Sequence, residues 1–236
     1  MANNELTNLE KSLNLHFRNR ELFENVFIHR SYLNEHKRYH LPSNEKLEFL
    51  GDSVLSLITS IYLYKNYPQL KEGDYTDIKA AIVCTESLTL ASKKLDLGNY
   101  LYLSKGEYKS GGRNNINILA DCFEALIAGI FIEFGFDRAY QFVIDHLFKD
   151  KLDLIISKKL YLAPKTRLQE ISQARFKVVP VYQLIKTTGP EHDKTFTIQV
   201  SIKNKKLAVA SGKSKKDAEE KAAKIVLNKN KIWYNL

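Results

Sequence analysis

The chain has 236 residues, 44% of them hydrophobic, which is enough for one large domain or for a medium and a small one, each with a core. Its two cysteines, Cys84 and Cys122, exclude a disulfide framework and a four-cysteine zinc site, and they suit a reducing compartment. The net charge of +9 is unevenly placed: 16 Lys and Arg against 6 Asp and Glu follow Pro164, whereas 20 and 21 precede it, so a near-neutral body carries a polyanion-binding tail.

In chain order, the opening MANNELTNLEKSL is polar where a signal peptide is apolar, and no run approaches the about 20 apolar residues of a membrane helix. A cytoplasmic protein without a membrane contact is expected. Apolar residues then recur at three and four, as in Leu47, Leu50, Val54, Leu57, Ile58 and Ile61, which predicts successive helices. They fall near residues 4 to 14, 19 to 33, 44 to 66, 74 to 95, 116 to 134 and 136 to 156. Pro42-Ser43-Asn44, Tyr67-Pro68 and Gly111-Gly112-Arg113-Asn114-Asn115 separate them, the last read as a flexible turn. No strand pattern stands out before residue 164.

After Pro164 the pattern changes. A short helix, Lys165 to Ala174, precedes three alternating or β-branched runs, VPVYQLIKTT, KTFTIQVSIK and KKLAVAS, and a helix from Ser214 to Asn228 follows. The expected fold class is therefore an all-α domain over residues 1–156, a linker over 157–163 and a small α+β domain of order α-β-β-β-α over 164–236. Lys203, Lys205 and Lys206 fall at a strand turn and read as solvated surface.

Chemistry concentrates in two helical segments. In EKLEFLGDSVL, Glu45, Glu48 and Asp52 are spaced by three and four and share one stripe of a helix. In ILADCFEALIAGIFI, Asp121 and Glu124 are three apart among residues that are otherwise apolar. A helix apolar all round is buried, and burying a carboxylate costs several kcal/mol, so these acids need cations, hydrogen bonds or protonation. A bound metal answers that need most economically; pairing with Lys or Arg, or pointing to solvent, is the alternative. An all-carboxylate set suits Mg²⁺ or Mn²⁺ rather than zinc. A di-iron bundle would need Glu-x-x-His pairs, and no Glu here has His three residues later.

These residues carry a resemblance. EKLEFLGDSVL resembles the signature of the ribonuclease III family, with Lys46 where Arg is more frequent, and ILADCFEALIAGIF resembles that family's second acidic motif. His29-Arg30-Ser31-Tyr32 and Glu72-Gly73-Asp74 also sit where the family has similar segments. The resemblance implies that Glu48, Asp121 and Glu124 hold the principal metal ion, Mg²⁺ with Mn²⁺ able to substitute, and that Asp52 and Glu124 act most directly in the chemistry. It gives Glu45 a structural or RNA-contacting role and places Phe49 across a homodimer interface, although a core Phe is an equal reading. The implied reaction is hydrolysis of double-stranded RNA, with water activated by the metal and no His base required. The implied products carry 5′-phosphate and 3′-hydroxyl ends with short 3′ overhangs, each subunit cutting one strand of structured RNAs such as ribosomal RNA precursors.

The tail resembles a double-stranded RNA-binding domain. Gln169 and Glu170 on its first helix would reach 2′-hydroxyls in the minor groove, His192 in a loop would meet the next groove, and Lys213, Lys215 and Lys216 at a helix N-terminus would take phosphates. Ala210 replaces a frequent Gly before the lysines. Gly212-Lys213-Ser214 is no P-loop, because residue 207 is Leu where that motif needs Gly, so no nucleotide cofactor is expected. Two rival readings are a non-cleaving RNA-binding relative and a double-stranded DNA binder; binding without cutting, or equal affinity for DNA and RNA duplexes, would mark them.

Overall fold

Two structural units divide the chain, Met1–Lys158 and Lys159–Leu236, and the structure, a computed structural model, describes residues 2–149 and 151–228. Residue 150 of the helix expected over 136 to 156, and residues 229–236 of the expected tail domain, lie outside the described residues.

The first unit is helical throughout: α1 (Ala2–Ser12), α2 (Arg20–Asn25), α3 (Arg30–Glu35), α4 (Glu45–Asn66), α5 (Glu72–Ile82), α6 (Thr85–Lys94), α7 (Lys105–Lys109), α8 (Ile116–Phe134), α9 (Phe136–Val143) and α10 (Leu152–Ser157). Its centre is α8, whose apolar residues face every side because α4, α6 and α9 all pack on it. Ile118, Leu119, Cys122, Phe123, Leu126, Ile127 and Ile130 are all buried. Asn115 caps this helix, its side-chain oxygen accepting from the amides of Asn117 (3.0 Å) and Ile118 (3.4 Å), and so satisfies N–H groups that would otherwise be orphaned. By length and composition α4 would pass as a membrane span, contrary to the expectation that no segment comes close. Instead it packs against α8 and carries three acids, as an internal helix of a helical unit does.

Three expected helices are interrupted. The segment 19 to 33 breaks after Val26 because Phe27 and His29 bond in extended form to Tyr102: its amide donates to Phe27 (2.9 Å) and its carbonyl accepts from His29 (3.2 Å). The segment 74 to 95 breaks at Cys84, which is extended and precedes α6. The segment 136 to 156 passes through a single π-type turn, Ile144–Phe148, before α10. The five-residue α7 is an addition to the expected elements.

The second unit has the expected order: α11 (Pro164–Phe176), β1 (Val181–Thr188), β2 (Thr195–Ile202), β3 (Lys205–Gly212) and α12 (Lys215–Asn228). Pro164 occupies the first turn of α11, where its missing N–H costs nothing. The strands form an antiparallel sheet in the order β1-β2-β3, with Val181 opposite Ser201 and Ile198 opposite Ala210, and β1 is irregular between Leu184 and Lys186. Val200, Ile202 and Leu207 turn inward at strand period against Leu168 of α11 and Ala222, Ala223 and Val226 of α12. Gly189 after β1 has φ +95°, and a Cβ there would lie 2.4 Å from the Asp193 carbonyl oxygen, so this turn requires glycine.

Candidate metal centre

One glycine sets the geometry of the centre. A Cβ on Gly51 of α4 would lie 1.9 Å from the Glu124 carbonyl oxygen of α8, so only a hydrogen at this position allows the two backbones to meet. That contact sets the acidic stripe of α4 against the acidic pair of α8. Glu48, Asp121 and Glu124 each bring a carboxylate oxygen into a set whose members lie within 4.8 Å of one another. Oxygens on opposite sides of one Mg²⁺ are about 4.2 Å apart, so a slight closure would let one ion take all three. The donor set is all oxygen, which suits a hard cation and gives zinc or iron no soft ligand.

Burial and mutual repulsion make these carboxylates hard to ionise. Glu124 is pushed up to about 8, first by burial and then by the charges of Asp52, Glu48 and Asp121. Glu48 is raised by burial and by Asp121, Glu45 and Asp52. Burial also raises Asp121, partly offset by Arg30. Among the described residues, none of the three is within ion-pair distance of a cation, so the alternative of Lys or Arg partners fails for them. It holds for Glu45, which is exposed, faces Arg30 at 3.7 Å and accepts from Ser43 Oγ at 2.7 Å. Asp52 is exposed one turn beyond Glu48, outside the three-oxygen set but close enough to act on Glu124.

The cavity beside Glu48 and Asp121, about 430 Å³, is walled by His29 and Arg30 of the segment that carried the resemblance, and by Asn44, Glu107, Asn115 and Asn117, which lie outside the site residues expected from the sequence. Asn44 is buried and holds its place through its side-chain amide, which donates to the Val26 carbonyl at 3.0 Å. Asn115 could have been found as a cap before an apolar run. Glu107 carries no such signal, because only the turn of α7 brings it to this wall. His29 is held by Ser31, with Nδ1 2.8 Å from Oγ, and burial lowers its pKa. Of the Glu72-Gly73-Asp74 segment, Asp74 accepts from the Lys71 amide at 3.1 Å and so caps α5.

Phe49 is 78% exposed on α4, which removes the core reading. In the second unit Gln169 is exposed on α11, while Glu170 beside it is bound by Lys159 at 2.5 Å. His192 is exposed in the turn between β1 and β2. Lys213, Lys215 and Lys216 are all exposed at the start of α12, with Lys213 Nζ 2.5 Å from Asp193. The backbone there is less open than expected, since the Asp217 amide donates to Ser214 Oγ (3.1 Å) and the Lys213 amide to the Asp217 carboxylate (3.0 Å). Lys203 is not simply solvated; its ammonium lies 4.9 Å from the centre of the Phe176 ring.

Comparison with known proteins agrees with this arrangement. A Ribonuclease-III-like family model matches residues 19–151, and a double-stranded RNA binding motif matches residues 164–230. Ribonuclease 3 of Treponema denticola is 43% identical over 221 residues, covering 94% of this chain and 89% of that protein. Ribonuclease 3 of Fusobacterium nucleatum is 43% identical over 231 residues, covering 98% and 97%. Among solved structures, the nuclease domain of ribonuclease III from Campylobacter jejuni superposes with a TM-score of 0.56 at 33% identity, covering 61% of this chain and 96% of that domain. Two acidic helices joined through Gly51, followed by a three-stranded unit with exposed lysines, are thus matched along nearly the whole length, and the chain belongs to the ribonuclease III family.

Proposed function

We propose that this chain is a homodimeric, magnesium-dependent endoribonuclease that hydrolyses double-stranded RNA. The observation that carries this reading is the three-carboxylate set of Glu48, Asp121 and Glu124, gathered with no Lys or Arg at ion-pair distance among the described residues. In this reading those three hold Mg²⁺, with Mn²⁺ a substitute of the same oxygen preference. The ion, when bound, supplies an acidified water and neutralises charge on the phosphoryl oxygens. In this reading Asp52 and Glu124 are the acids that act most directly in the chemistry, Asp52 exposed on α4 and Glu124 more deeply set. Glu124, pushed up to about 8 by burial and its acidic neighbours, would give up its proton on taking a cation, so metal binding at this centre should release protons.

Gln169, Glu170, His192, Lys213, Lys215 and Lys216 would contact the duplex, the exposed lysines through phosphates and the others through the minor groove. For Glu170 that requires release from Lys159, a surface pair that costs little to open. The fully presented Phe49 ring supports a second copy of the chain as its cover, which would give one cut per strand. Products with 5′-phosphates and short 3′ overhangs, processing of structured RNAs such as ribosomal RNA precursors, and a cytoplasmic location complete the reading. The residue ranges 1–156, 157–163 and 164–236 are the proposed nuclease, linker and RNA-binding segments.

The test is an end-labelled RNA duplex incubated with wild type or Glu124→Gln, in Mg²⁺ or EDTA. Cutting by wild type only with Mg²⁺, and a loss of about 1,000-fold or more in the variant with RNA binding retained, is expected from several kcal/mol of lost charge stabilisation. Cutting by the variant at the wild-type rate would refute the assignment. Phe49→Glu is expected to sediment as a 27.2 kDa monomer where wild type sediments as a dimer.

A further inference from the structure

A second cavity of the helical unit, about 450 Å³, lies between the segment 99–103 and α7. Its volume is in the range of small-molecule sites. Four tyrosines, Tyr32, Tyr100, Tyr102 and Tyr108, and three cations, Lys105, Lys109 and Arg113, line it, and no carboxylate does among the described residues. That combination is unusual within this unit. Arg20 has Glu10 at 2.5 Å and Arg30 has Glu45 at 3.7 Å, whereas Arg113 is held by an aromatic ring, its Cζ 5.1 Å from the centre of Tyr108. The buried Nε of Arg113 has no acceptor among the described residues. Lys105 and Lys109 are exposed beside the half-buried Arg113, a cluster that attracts an anion, and Tyr108, 57% exposed beside them, offers a flat face to stack on.

We propose that this cavity binds a 5′-phosphorylated nucleotide, its base against the tyrosines and its phosphate among Lys105, Lys109 and Arg113. The chemistry fits both a free nucleoside monophosphate and the 5′-terminal nucleotide of an RNA strand. The ligand is bound, not consumed, and the site is separate from the carboxylate centre: α7 turns Glu107 toward that centre and Tyr108 toward this cavity. An apolar ligand would leave the cations unmatched, and a bare phosphate would leave the rings unused.

The experiment is calorimetric titration of the full-length protein in EDTA, which removes any nucleotide held through a metal at the carboxylates. The probes are adenosine monophosphate, adenosine, inorganic phosphate, and short single-stranded RNAs with a 5′-phosphate or a 5′-hydroxyl. Adenosine monophosphate is expected to bind once per chain and about tenfold or more tighter than adenosine or phosphate. Tyr108→Ala and Lys109→Ala change exposed residues, so thermal melts should match wild type while that binding weakens about tenfold. Tighter binding of the 5′-phosphorylated RNA than of the mononucleotide, lost in the same variants, assigns the site to a strand end; the reverse order assigns it to free nucleotide. No binding of any phosphorylated probe, or binding unchanged in both variants, overturns the proposal. Because the titration contains no metal, its failure leaves the nuclease reading untouched, and failure of cleavage leaves this one standing.

Discussion

The two units place charge in opposite ways. In the helical unit, acids sit inside a helix pair where burial and repulsion hold them toward their protonated forms, and the close approach at Gly51 lets the two helices meet. In the sheet unit bases stand outside, with Lys213, Lys215 and Lys216 exposed at the start of α12, while Val200, Leu207 and Ala222 form the core. The difference teaches where each function stores its cost. A metal centre is built by spending folding energy on buried like charges that a cation later neutralises, whereas an RNA surface is built from charges that water already solvates. The first is therefore sensitive to ångström-scale packing and to pH, and the second to salt.

The contrast would break most sharply at Gly51. Gly51→Val drives a side chain into the Glu124 carbonyl, so α4 and α8 must part; the overpacking costs about 1–3 kcal/mol, and a near-attack geometry displaced by 1 Å loses about 100-fold in rate. Cleavage kinetics and a thermal melt measure both, and duplex binding by the second unit should survive.

The pH response sharpens the same point. A carboxylate whose folded value is raised holds its proton more tightly when folded, so folded stability falls as pH rises from the ordinary value of 4.5 through about 8. Metal-free protein should melt several degrees lower at about pH 8 than at about pH 5 on account of this cluster, with Mg²⁺ restoring the difference at the higher pH and Glu124→Gln flattening it. A melting temperature that rises across this window in wild type but not in the variant would reverse the sign and contradict the account.

The smallest effect belongs to the sheet unit. Lys215→Ala with Lys216→Ala should weaken duplex binding several-fold and reduce the salt slope by about two, with the rate at saturating RNA unchanged. A changed saturated rate would mean that these lysines act at the cut itself.

Much of this was readable before folding, for a physical reason. The acids of α4 and α8 share a helix period, and the three strands share period two, so local spacing already states which side chains lie on one face. What spacing omits is distant pairing. The break after Val26 depends on Tyr102, the wall of the centre depends on Glu107 carried by the short α7, and the Gly51 contact depends on a residue in another helix. The amides at the start of α12 looked open to phosphate because basic residues surround them; Ser214 and Asp217, three residues apart, form a capping pair that takes the amides of Asp217 and Lys213.

The most direct test of the central claim is Mn²⁺ binding to the full-length protein, followed by electron paramagnetic resonance at about pH 8, for wild type and Glu124→Gln. The account predicts a saturable site in wild type, displaced by Mg²⁺, that weakens by at least about tenfold in the variant. Equal Mn²⁺ binding by both would show that Glu48, Asp121 and Glu124 are not the metal centre.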